Sequence, residues 1–241
     1  MTRTRAVSGL SPSLAYFLDI DGTLVDSVDL HAQAWQEAFA HFGHQVEFSA
    51  VRSQIGKGGD QLMPVFLSRQ ELASYGEDLE AHRGRILKER YLPLMTAFPG
   101  VRELFQRLIA DGRQVALASS AKEDELAHYK KVANIDDLID AETSSDDAAR
   151  SKPYPDIFQA VLERLPDLNP ARAVVIGDTP WDAEAASKVG LRMIGLLCGG
   201  WPEDELRRYG CVAVYKDPAD LLAQFDRSPF GIKQGQSLAG R

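Results

Sequence analysis

The sequence is poor in cysteine, has no long apolar run and carries no excess of positive charge. Its 241 residues contain two cysteines, Cys198 and Cys211, whose separation matches no short metal-ligand motif. The pattern predicts free thiols in a reducing compartment rather than a disulfide framework. No apolar run reaches the length of a membrane-spanning helix, and residues 1–10 lack the apolar centre of a signal peptide. We therefore expect a soluble, cytoplasmic protein with no membrane partner.

The charge balance narrows the classes of partner further. The 27 lysines and arginines stand against 35 aspartates and glutamates, which gives a formal net charge of −8. Such a balance argues against a nucleic-acid-binding protein that works by bulk electrostatics. An anionic substrate would need a local cationic pocket instead. The oligomeric state has no signature in the sequence.

Apolar runs and helical periodicities alternate along most of the chain, as in α/β proteins. Strands are predicted near 14–18, 114–118, 138–141, 173–176, 193–197 and 212–214. Helices are predicted near 100–111, 122–133, 155–165, 181–189 and 218–225. Short connections between these elements favour a Rossmann-like three-layer core, in which a parallel sheet has helices on both faces.

One stretch departs from this alternation. Between 29 and 97 only helical patterns occur, near 29–42, 49–55, 60–67 and 77–91. We interpret 29–97 as a small helical cap domain inserted into a core made of 13–28 plus 98–226. The remaining residues, 1–12 and 227–241, are predicted to be loose termini.

The first predicted strand is followed by two acids, Asp19 and Asp21. Alternate residues of an extended chain point the same way, so both carboxylates could face one spot at the carboxyl end of the strand. Two converging carboxylates repel each other unless a cation or a shared proton lies between them. A hard, oxygen-seeking cation such as Mg²⁺ is the natural partner. The plainer alternative is an Asp-Gly turn after a core strand.

Other predicted strands also end in reactive residues. Ser119 follows the second strand, Asp178 follows the fourth, and Lys152 comes about a dozen residues after the third. The carboxyl ends of parallel strands share one edge of the sheet, so these residues can meet in one cleft. Acids there would hold Mg²⁺, while the lysine, the hydroxyl and the metal would surround an anion such as phosphate.

Four segments in this order resemble the motifs of the haloacid dehalogenase superfamily, in particular its phosphatase-type members with a helical cap after the first strand. The resemblance covers about residues 14–226 and rests on Asp19-Ile20-Asp21-Gly22-Thr23-Leu24, Leu117-Ala118-Ser119-Ser120, Ser151-Lys152-Pro153-Tyr154-Pro155-Asp156 and Gly177-Asp178-Thr179-Pro180-Trp181-Asp182. Each motif alone is weak to moderate, whereas all four at these spacings are highly specific.

The resemblance implies roles for Asp19 and Asp21 and for the serine and the lysine expected near them. Asp19 would be the nucleophile that forms an aspartyl-phosphate, and Asp21 would protonate the leaving oxygen and later take a proton from water. Ser119 and Lys152 would bind the phosphate. For Ser119 the alternative is a helix N-cap, and for Lys152 a surface lysine.

The resemblance also implies a metal site. Its ligands would be Asp19, Asp178 and the backbone carbonyl of Asp21, with Asp182 binding Mg²⁺ directly or through a coordinated water. The alternative for Asp182 is an acid in the first turn of a helix, where a negative charge is favourable in any case.

Two cap residues are candidate contacts for the substrate beyond its phosphate. Lys57 lies in a glycine-rich loop in which the backbone can approach a ligand closely. His31 lies ten residues after Asp21, as does a histidine of the sugar phosphomutases in the superfamily. The alternatives are a solvated lysine in a linker and a histidine at the exposed start of the first cap helix.

The resemblance implies a Mg²⁺-dependent phosphatase that acts on a small phosphorylated metabolite, such as phosphoglycolate or a sugar phosphate. The acid at Asp21 fits ester substrates, because cleavage of a phosphate ester requires a proton for the leaving oxygen. Two alternatives stay open. One is a sugar phosphomutase of the β-phosphoglucomutase type. The mutases that the chain resembles carry Glu-Asp at the metal site, whereas this chain has Gly177-Asp178-Thr179, which favours a phosphatase. The other alternative is a non-catalytic phosphometabolite-binding relative.

Overall fold

A parallel sheet of six strands forms the centre of the protein in the computed structural model, which describes residues 15–230. Its strands are β1 (Ala15–Leu18), β4 (Gln114–Ala118), β5 (Ala141–Thr143), β6 (Ala173–Gly177), β7 (Arg192–Leu196) and β8 (Cys211–Tyr215), and a separate pair consists of β2 (Val25–Asp26) and β3 (Thr96–Ala97). The order across the sheet is β5-β4-β1-β6-β7-β8, and every neighbouring pair is parallel. Strand β1 is therefore central, between β4 and β6.

Helices cover both faces of this sheet. The helices are α1 (Val28–His41), α2 (Phe48–Arg52), α3 (Gly59–Phe66), α4 (Arg69–Ile86), α5 (Val101–Ala110), α6 (Glu123–Ala133), α7 (Asp156–Arg164), α8 (Pro180–Lys188), α9 (Glu203–Arg208) and α10 (Pro218–Gln224). Alternate strand residues enter two separate clusters, because successive side chains point to opposite faces. Helices α5, α6 and α10 cover one face, and α7, α8 and α9 cover the other. The predicted Rossmann-like three-layer core is confirmed.

Helices α1–α4 bury a third apolar cluster of their own, which includes Trp35, Phe39, Leu62 and Leu79. Strands β2 and β3 pair antiparallel where the chain leaves the core and where it returns. This inserted segment, which we call the cap, thus has its own small core. Its two connections to the sheet are tied to each other by the β2–β3 pair.

The predicted elements differ from the structure where the local pattern is polar. Helix α4 begins at Arg69 rather than near 77, because Ser68 and Glu71 form a reciprocal capping box. Its first half is mostly exposed, so it lacks the apolar periodicity that marks a buried helix. The short helix α9 buries only Leu206 and was not predicted for the same reason.

The strand predicted near 138–141 starts later, at Ala141. Leu138 belongs to a turn in which its N–H donates to the carbonyl of Ile135 at 2.9 Å. Within residues 15–230, no helix combines the length and apolarity that crossing a bilayer requires.

The core also extends beyond the predicted boundary at 226. Ser228 and Phe230 are buried, and Phe230 packs into the apolar cluster that contains Tyr16. The guanidinium of Arg192 lies 4.6 Å from the centroid of the Phe230 ring. Ser228 and Phe230 are therefore part of the packed core, although both lie in the segment predicted to be a loose terminus. Residues 1–12 and 231–241 of the predicted loose termini lie outside the described residues.

This packing predicts the effect of truncating the last described side chain. Phe230→Ala should lower the free energy of unfolding by about 2 kcal/mol, because a buried aromatic side chain would be lost from the cluster. The exposed neighbour Arg227 provides the control, and Arg227→Ala should change stability by less than about 0.5 kcal/mol. Urea unfolding of both variants measures the difference. Equal stabilities would show that Phe230 does not pack against the core in solution.

Candidate active site

The reactive residues predicted from sequence gather at the carboxyl edge of the sheet. Asp19 follows β1, Ser119 follows β4 and Asp178 follows β6, and these three strands are neighbours. Leu18 pairs in register with Leu117 on one side and Ile176 on the other, so the strands end at similar heights. The parallel register thus brings together residues that are far apart in sequence.

Lys152 is the fully buried cation of this edge. Its ammonium donates to Asp19 Oδ1 and, at 3.2 Å, to the carbonyl of Ala118, and it lies 2.7 Å from Asp182 Oδ1. Burial alone lowers the pKa of a lysine, but the negative charges of Asp182 and Asp19 outweigh burial and raise the pKa of Lys152 above its usual value. The alternative of a surface lysine is therefore wrong.

The carboxyls of Asp19 and Asp178 resist ionisation in this setting. Burial is the main cause: against the opposing charge of Lys152, it raises the pKa of Asp19 to about 7, with further contributions from Asp182 and Asp21. The pKa of Asp178 is also raised well above its usual value, chiefly by burial and next by the charge of Asp19. One lysine does not compensate all of this buried negative charge, so the site favours an additional cation.

Asp178 has room for such a cation. Its Oδ1 accepts a hydrogen bond from Thr23 Oγ1 at 2.8 Å, whereas its buried Oδ2 has no hydrogen-bond partner among residues 15–230. A Cβ atom would lie 2.4 Å from Oδ2 at Gly22 and 1.6 Å from it at Gly199, so both positions require glycine. Ligand atoms of Asp19, Asp178 and Asp182 lie within 4.8 Å of one another. This oxygen-only set suits a hard divalent cation.

Asp182 has the helix role that sequence analysis set against metal binding, and it also forms an ion pair with Lys152. Its Oδ2 accepts hydrogen bonds from the N–H and the hydroxyl of Thr179, at 3.1 and 2.5 Å, which completes a capping box at the start of α8. Its Oδ1 faces Lys152. Oδ2 of Asp182 accepts hydrogen bonds and Oδ1 forms an ion pair, whereas Oδ2 of Asp178 has no hydrogen-bond partner among residues 15–230. Asp182 is therefore better placed to hold Lys152 and the helix than to be the principal metal ligand.

The carboxylate of Asp21 points toward the cap rather than into the three-carboxylate group. Its Oδ1 accepts from Ser27 Oγ at 2.6 Å and from His31 Nε2 at 2.9 Å. Burial raises the pKa of Asp21, but the interactions with His31, the hydrogen bond from Ser27 and the charge of Arg83 together hold it below its usual value. Asp21 is therefore ionised in this arrangement.

His31 is buried, so the predicted alternative of an exposed position at the start of the cap helix is wrong. An arginine only donates hydrogen bonds, and Arg83 Nη2 lies 2.8 Å from His31 Nδ1. The ring proton is therefore on Nε2, where it can be donated to Asp21. The hydroxyl of Tyr129 also lies 2.9 Å from Nε2. This chain of hydrogen bonds connects cap helix α4 to Asp21.

The two serines that follow β4 lie in different environments. Ser119 is fully buried, and its Oγ accepts from the N–H of Ala121 at 3.0 Å. It stabilises the turn before α6, whose N-cap residue is Lys122, so the N-cap alternative for Ser119 is wrong by three residues. Ser120 lines the same cavity as Asp19, and its Oγ has no hydrogen-bond partner within the described chain.

A cavity of about 240 Å³ lies above this edge, between the core and the cap helices. Lys57 lines it, as sequence analysis suggested for a residue of the glycine-rich loop. Its ammonium donates to Gln54 Oε1 at 2.6 Å and lies 3.9 Å from the centroid of the Trp181 ring. The pKa of Lys57 is lowered mainly by burial. Lys57 is therefore a partly buried part of the cavity wall rather than a solvated linker residue.

The glycine-rich loop is hydrogen-bonded to the residue that precedes Lys152. The N–H of Gly58 donates to Ser151 Oγ at 2.8 Å. The N–H of Ser151 donates to Asp60 Oδ2 at 3.1 Å, and its hydroxyl donates to Asp60 Oδ1. We call these three hydrogen bonds the Ser151 latch. Through them the cap loop and the lysine segment hold each other in place.

Sequence reasoning did not single out Thr23, Ser151, Asp60 and Arg83. Thr23 and Ser151 lie inside quoted motifs, so their position beside charged residues was the available signal. Asp60 and Arg83 carry no such signal, because only the packing of the cap against the core brings them to the cavity.

The latch predicts a local change in hydrogen exchange. Ser151→Ala removes the acceptor of the Gly58 amide, so that amide should exchange at least about tenfold faster. The control is Ser53→Ala, since the Ser53 hydroxyl donates to Ala50 within the cap itself. Hydrogen exchange followed by NMR measures both variants. Unchanged protection of Gly58 in Ser151→Ala would contradict the latch.

Comparisons with known proteins agree with this geometry. Residues 14–190 match the family model described as haloacid dehalogenase-like hydrolase. The chain is 26% identical over 212 residues to a phosphorylated carbohydrates phosphatase of Thermotoga maritima, a match that covers 86% of this chain and 96% of that protein. It is 28% identical to a phosphoglycolate phosphatase of Cereibacter sphaeroides, covering 85% of this chain and 95% of that protein.

Among solved structures, a hydrolase from Pseudomonas syringae superposes with a TM-score of 0.82 at 29% identity, covering 89% of this chain and 99% of that one. The family model spans well over half of the sequence and includes all four motif segments. The chain therefore belongs to the haloacid dehalogenase-like hydrolase family.

Proposed function

We propose that this protein is a Mg²⁺-dependent phosphatase that hydrolyses a small phosphorylated metabolite through an aspartyl-phosphate on Asp19. Its family and its relatives named as phosphatases make it a phosphoric monoester hydrolase. The observation that carries the mechanism is the buried cluster of Asp19, Lys152 and Asp178, of which Asp19 lines the cavity.

Asp19 supplies the nucleophilic oxygen. An Asp19 carboxylate oxygen forms a bond to phosphorus while the ester oxygen leaves with a proton from Asp21. A water then attacks the aspartyl-phosphate, Asp21 takes its proton, and phosphate departs. Lys152 holds the Asp19 carboxylate in place and offers positive charge to the phosphoryl oxygens. Ser120 supplies a hydroxyl beside the phosphate, whereas the buried Ser119, predicted from sequence to bind the phosphate, stabilises the turn that carries Ser120.

Asp21 must carry a proton to act as the acid, yet in the structure it is held as a carboxylate. A negatively charged phosphate ester entering beside it raises the pKa of Asp21, because a like charge disfavours ionisation. The hydrogen bonds from Ser27 and His31 fix its orientation in either state. Substrate arrival would thus convert Asp21 from base to acid.

The residues that would hold Mg²⁺ are Asp19, Asp178 and the backbone carbonyl of Asp21, with Asp182 beside them. Two observations support this assignment: Asp178 Oδ2 has no hydrogen-bond partner within the described part of the chain, and Gly22 and Gly199 leave space around it. When bound, Mg²⁺ supplies charge neutralisation for the phosphoryl group and for the crowded carboxylates.

Hydrolysis is favoured over the sugar phosphomutase alternative. A mutase has to hold a bisphosphate, whose second phosphate would need a free cationic site in the cap. Within the described residues, Arg83 is already engaged by Glu125 and His31, and Lys57 by Gln54 and Trp181. A non-catalytic relative is disfavoured as well, because the nucleophile, the lysine and the metal acid are all retained.

The first test separates the core chemistry from the cap. Asp19→Ala should reduce Mg²⁺-dependent release of phosphate from p-nitrophenyl phosphate by about 10³-fold or more, since the nucleophile is lost. Lys57→Ala, a cap variant, should slow this generic substrate by less than about threefold. Comparable losses in both variants would contradict a nucleophilic Asp19.

Incubation with β-glucose 1-phosphate, followed by NMR, would reveal mutase activity as glucose 6-phosphate.

The second test uses stability instead of activity. Without metal, the raised pKa of Asp19, about 7, means that the stabilising proton is lost as pH rises through neutrality. Mg²⁺ competes with that proton, so the increase in Tm on adding Mg²⁺ should grow between about pH 5 and pH 8. Asp178→Asn should abolish most of this increase. A Mg²⁺ shift that is independent of pH, or that is retained in Asp178→Asn, would argue against the assigned ligands.

A further inference from the structure

The wall of the cavity on the cap side carries both signs of charge. Helix α4 contributes Glu80 and Arg83, one turn apart, and the glycine-rich loop contributes Lys57, Gly59 and Asp60. This wall faces the part of a substrate that lies beyond the phosphate. Its free charges therefore decide which leaving groups the site accepts.

The two cap cations already have partners. Arg83 donates to Glu125 at 3.4 Å through Nη1 and to His31 at 2.8 Å through Nη2. Lys57 donates to Gln54 and lies against the Trp181 ring. The charge of each is thus at least partly used in holding the wall together.

Two other charged residues of the cavity lining are Asp60 and Lys122. The carboxylate of Asp60 is occupied by Ser151 in the latch. Lys122 lies on the core side, before α6, and is exposed. The Asp60 carboxylate is thus already engaged, and the Lys122 ammonium belongs to the core side of the cavity and not to the cap wall.

Glu80 differs from these residues. Within residues 15–230 its carboxylate has no hydrogen bond or ion pair, although the side chain is only partly exposed. It lies against Gly59, where a Cβ atom would be 2.7 Å from Glu80 Oε1 and 2.8 Å from its Cδ. Glycine at this position thus leaves the space that the carboxylate occupies. Glu80 is an acceptor without a donor at the cap wall.

We infer that Glu80 is a specificity-determining residue, which accepts hydrogen bonds from an uncharged, hydroxyl-bearing leaving group and rejects leaving groups with a second anionic group. This inference rests on the proposed phosphatase function and refines it. Carboxylate oxygens accept hydrogen bonds from hydroxyls, whereas they repel a second carboxylate or phosphate in a partly buried site. The site would therefore take polyol or sugar phosphates in preference to phosphoglycolate.

The volume of the cavity is consistent with this substrate class. At about 240 Å³ it lies below the range of roughly 300–1,000 Å³ that is usual for drug-sized ligands. A small polyol phosphate fits such a space, and its hydroxyls would satisfy Glu80.

The test compares two phosphate esters that differ only at the far end. In 2-hydroxyethyl phosphate the leaving group ends in a hydroxymethyl group, and in 2-phosphoglycolate it ends in a carboxylate. The wild-type protein should show the higher kcat/KM for 2-hydroxyethyl phosphate. Glu80→Gln should shift the ratio of the two kcat/KM values toward phosphoglycolate by about tenfold, because the repelling charge is removed while the shape is kept.

Two further variants make the result specific to the charge of Glu80. Glu77→Gln removes an exposed carboxylate from the same helix outside the cavity lining, and it should leave the ratio unchanged. Glu80→Asp keeps the charge and should retain most of the wild-type preference. p-Nitrophenyl phosphate monitors the basal activity of every variant.

The possible outcomes distinguish a failure of the proposed phosphatase function from a failure of the role inferred for Glu80. Failure of the wild-type protein to release phosphate from any of the three esters would overturn the proposed function. Phosphate release with a wild-type preference for phosphoglycolate, or with a ratio that Glu80→Gln leaves unchanged, would overturn the role of Glu80 and leave the proposed function standing.

Discussion

The structure depends on one buried positive charge. The ammonium of Lys152 lies between Asp19 and Asp182 and also donates to the carbonyl of Ala118, so it links β1, β4 and α8 at the carboxyl edge of the sheet. Removing one partner of a buried ion pair costs about 3–5 kcal/mol, since the other charge is left uncompensated. In the proposed mechanism the same charge also acts on the phosphoryl group. Stability and the proposed chemistry would therefore be carried by the same contacts.

The cap contributes to this arrangement from two sides. The Ser151 latch ties the glycine-rich loop to the residue before Lys152, while Arg83 and His31 reach Asp21 from α4 and α1. Both the lysine and the second aspartate thus depend on where the cap sits. Movement of the cap would alter the hydrogen bonding of Asp21 and the packing around Lys152 together, which offers a physical route by which substrate enclosure could be coupled to chemistry.

Much of the fold could be predicted because buried elements carry their own periodicity. The strands β1, β4, β6 and β7 are apolar runs, and the register of a parallel sheet places the residues that follow them at one edge. Elements with little buried surface were predicted poorly. Helix α9 buries a single leucine, and the first half of α4 is held by a capping box rather than by an apolar face.

The sequence by itself determined the fold class, the motifs and the chemical types of Asp19, Lys152 and Asp178, because these follow from local patterns and from strand order. Only the tertiary structure decided that His31 is buried against Asp21, that Ser120 rather than Ser119 lines the cavity, and that Glu80 lies there with no partner among residues 15–230. Those facts depend on how the cap packs against the core. Such packing is set by contacts between residues distant in sequence, which leave no local periodicity to read.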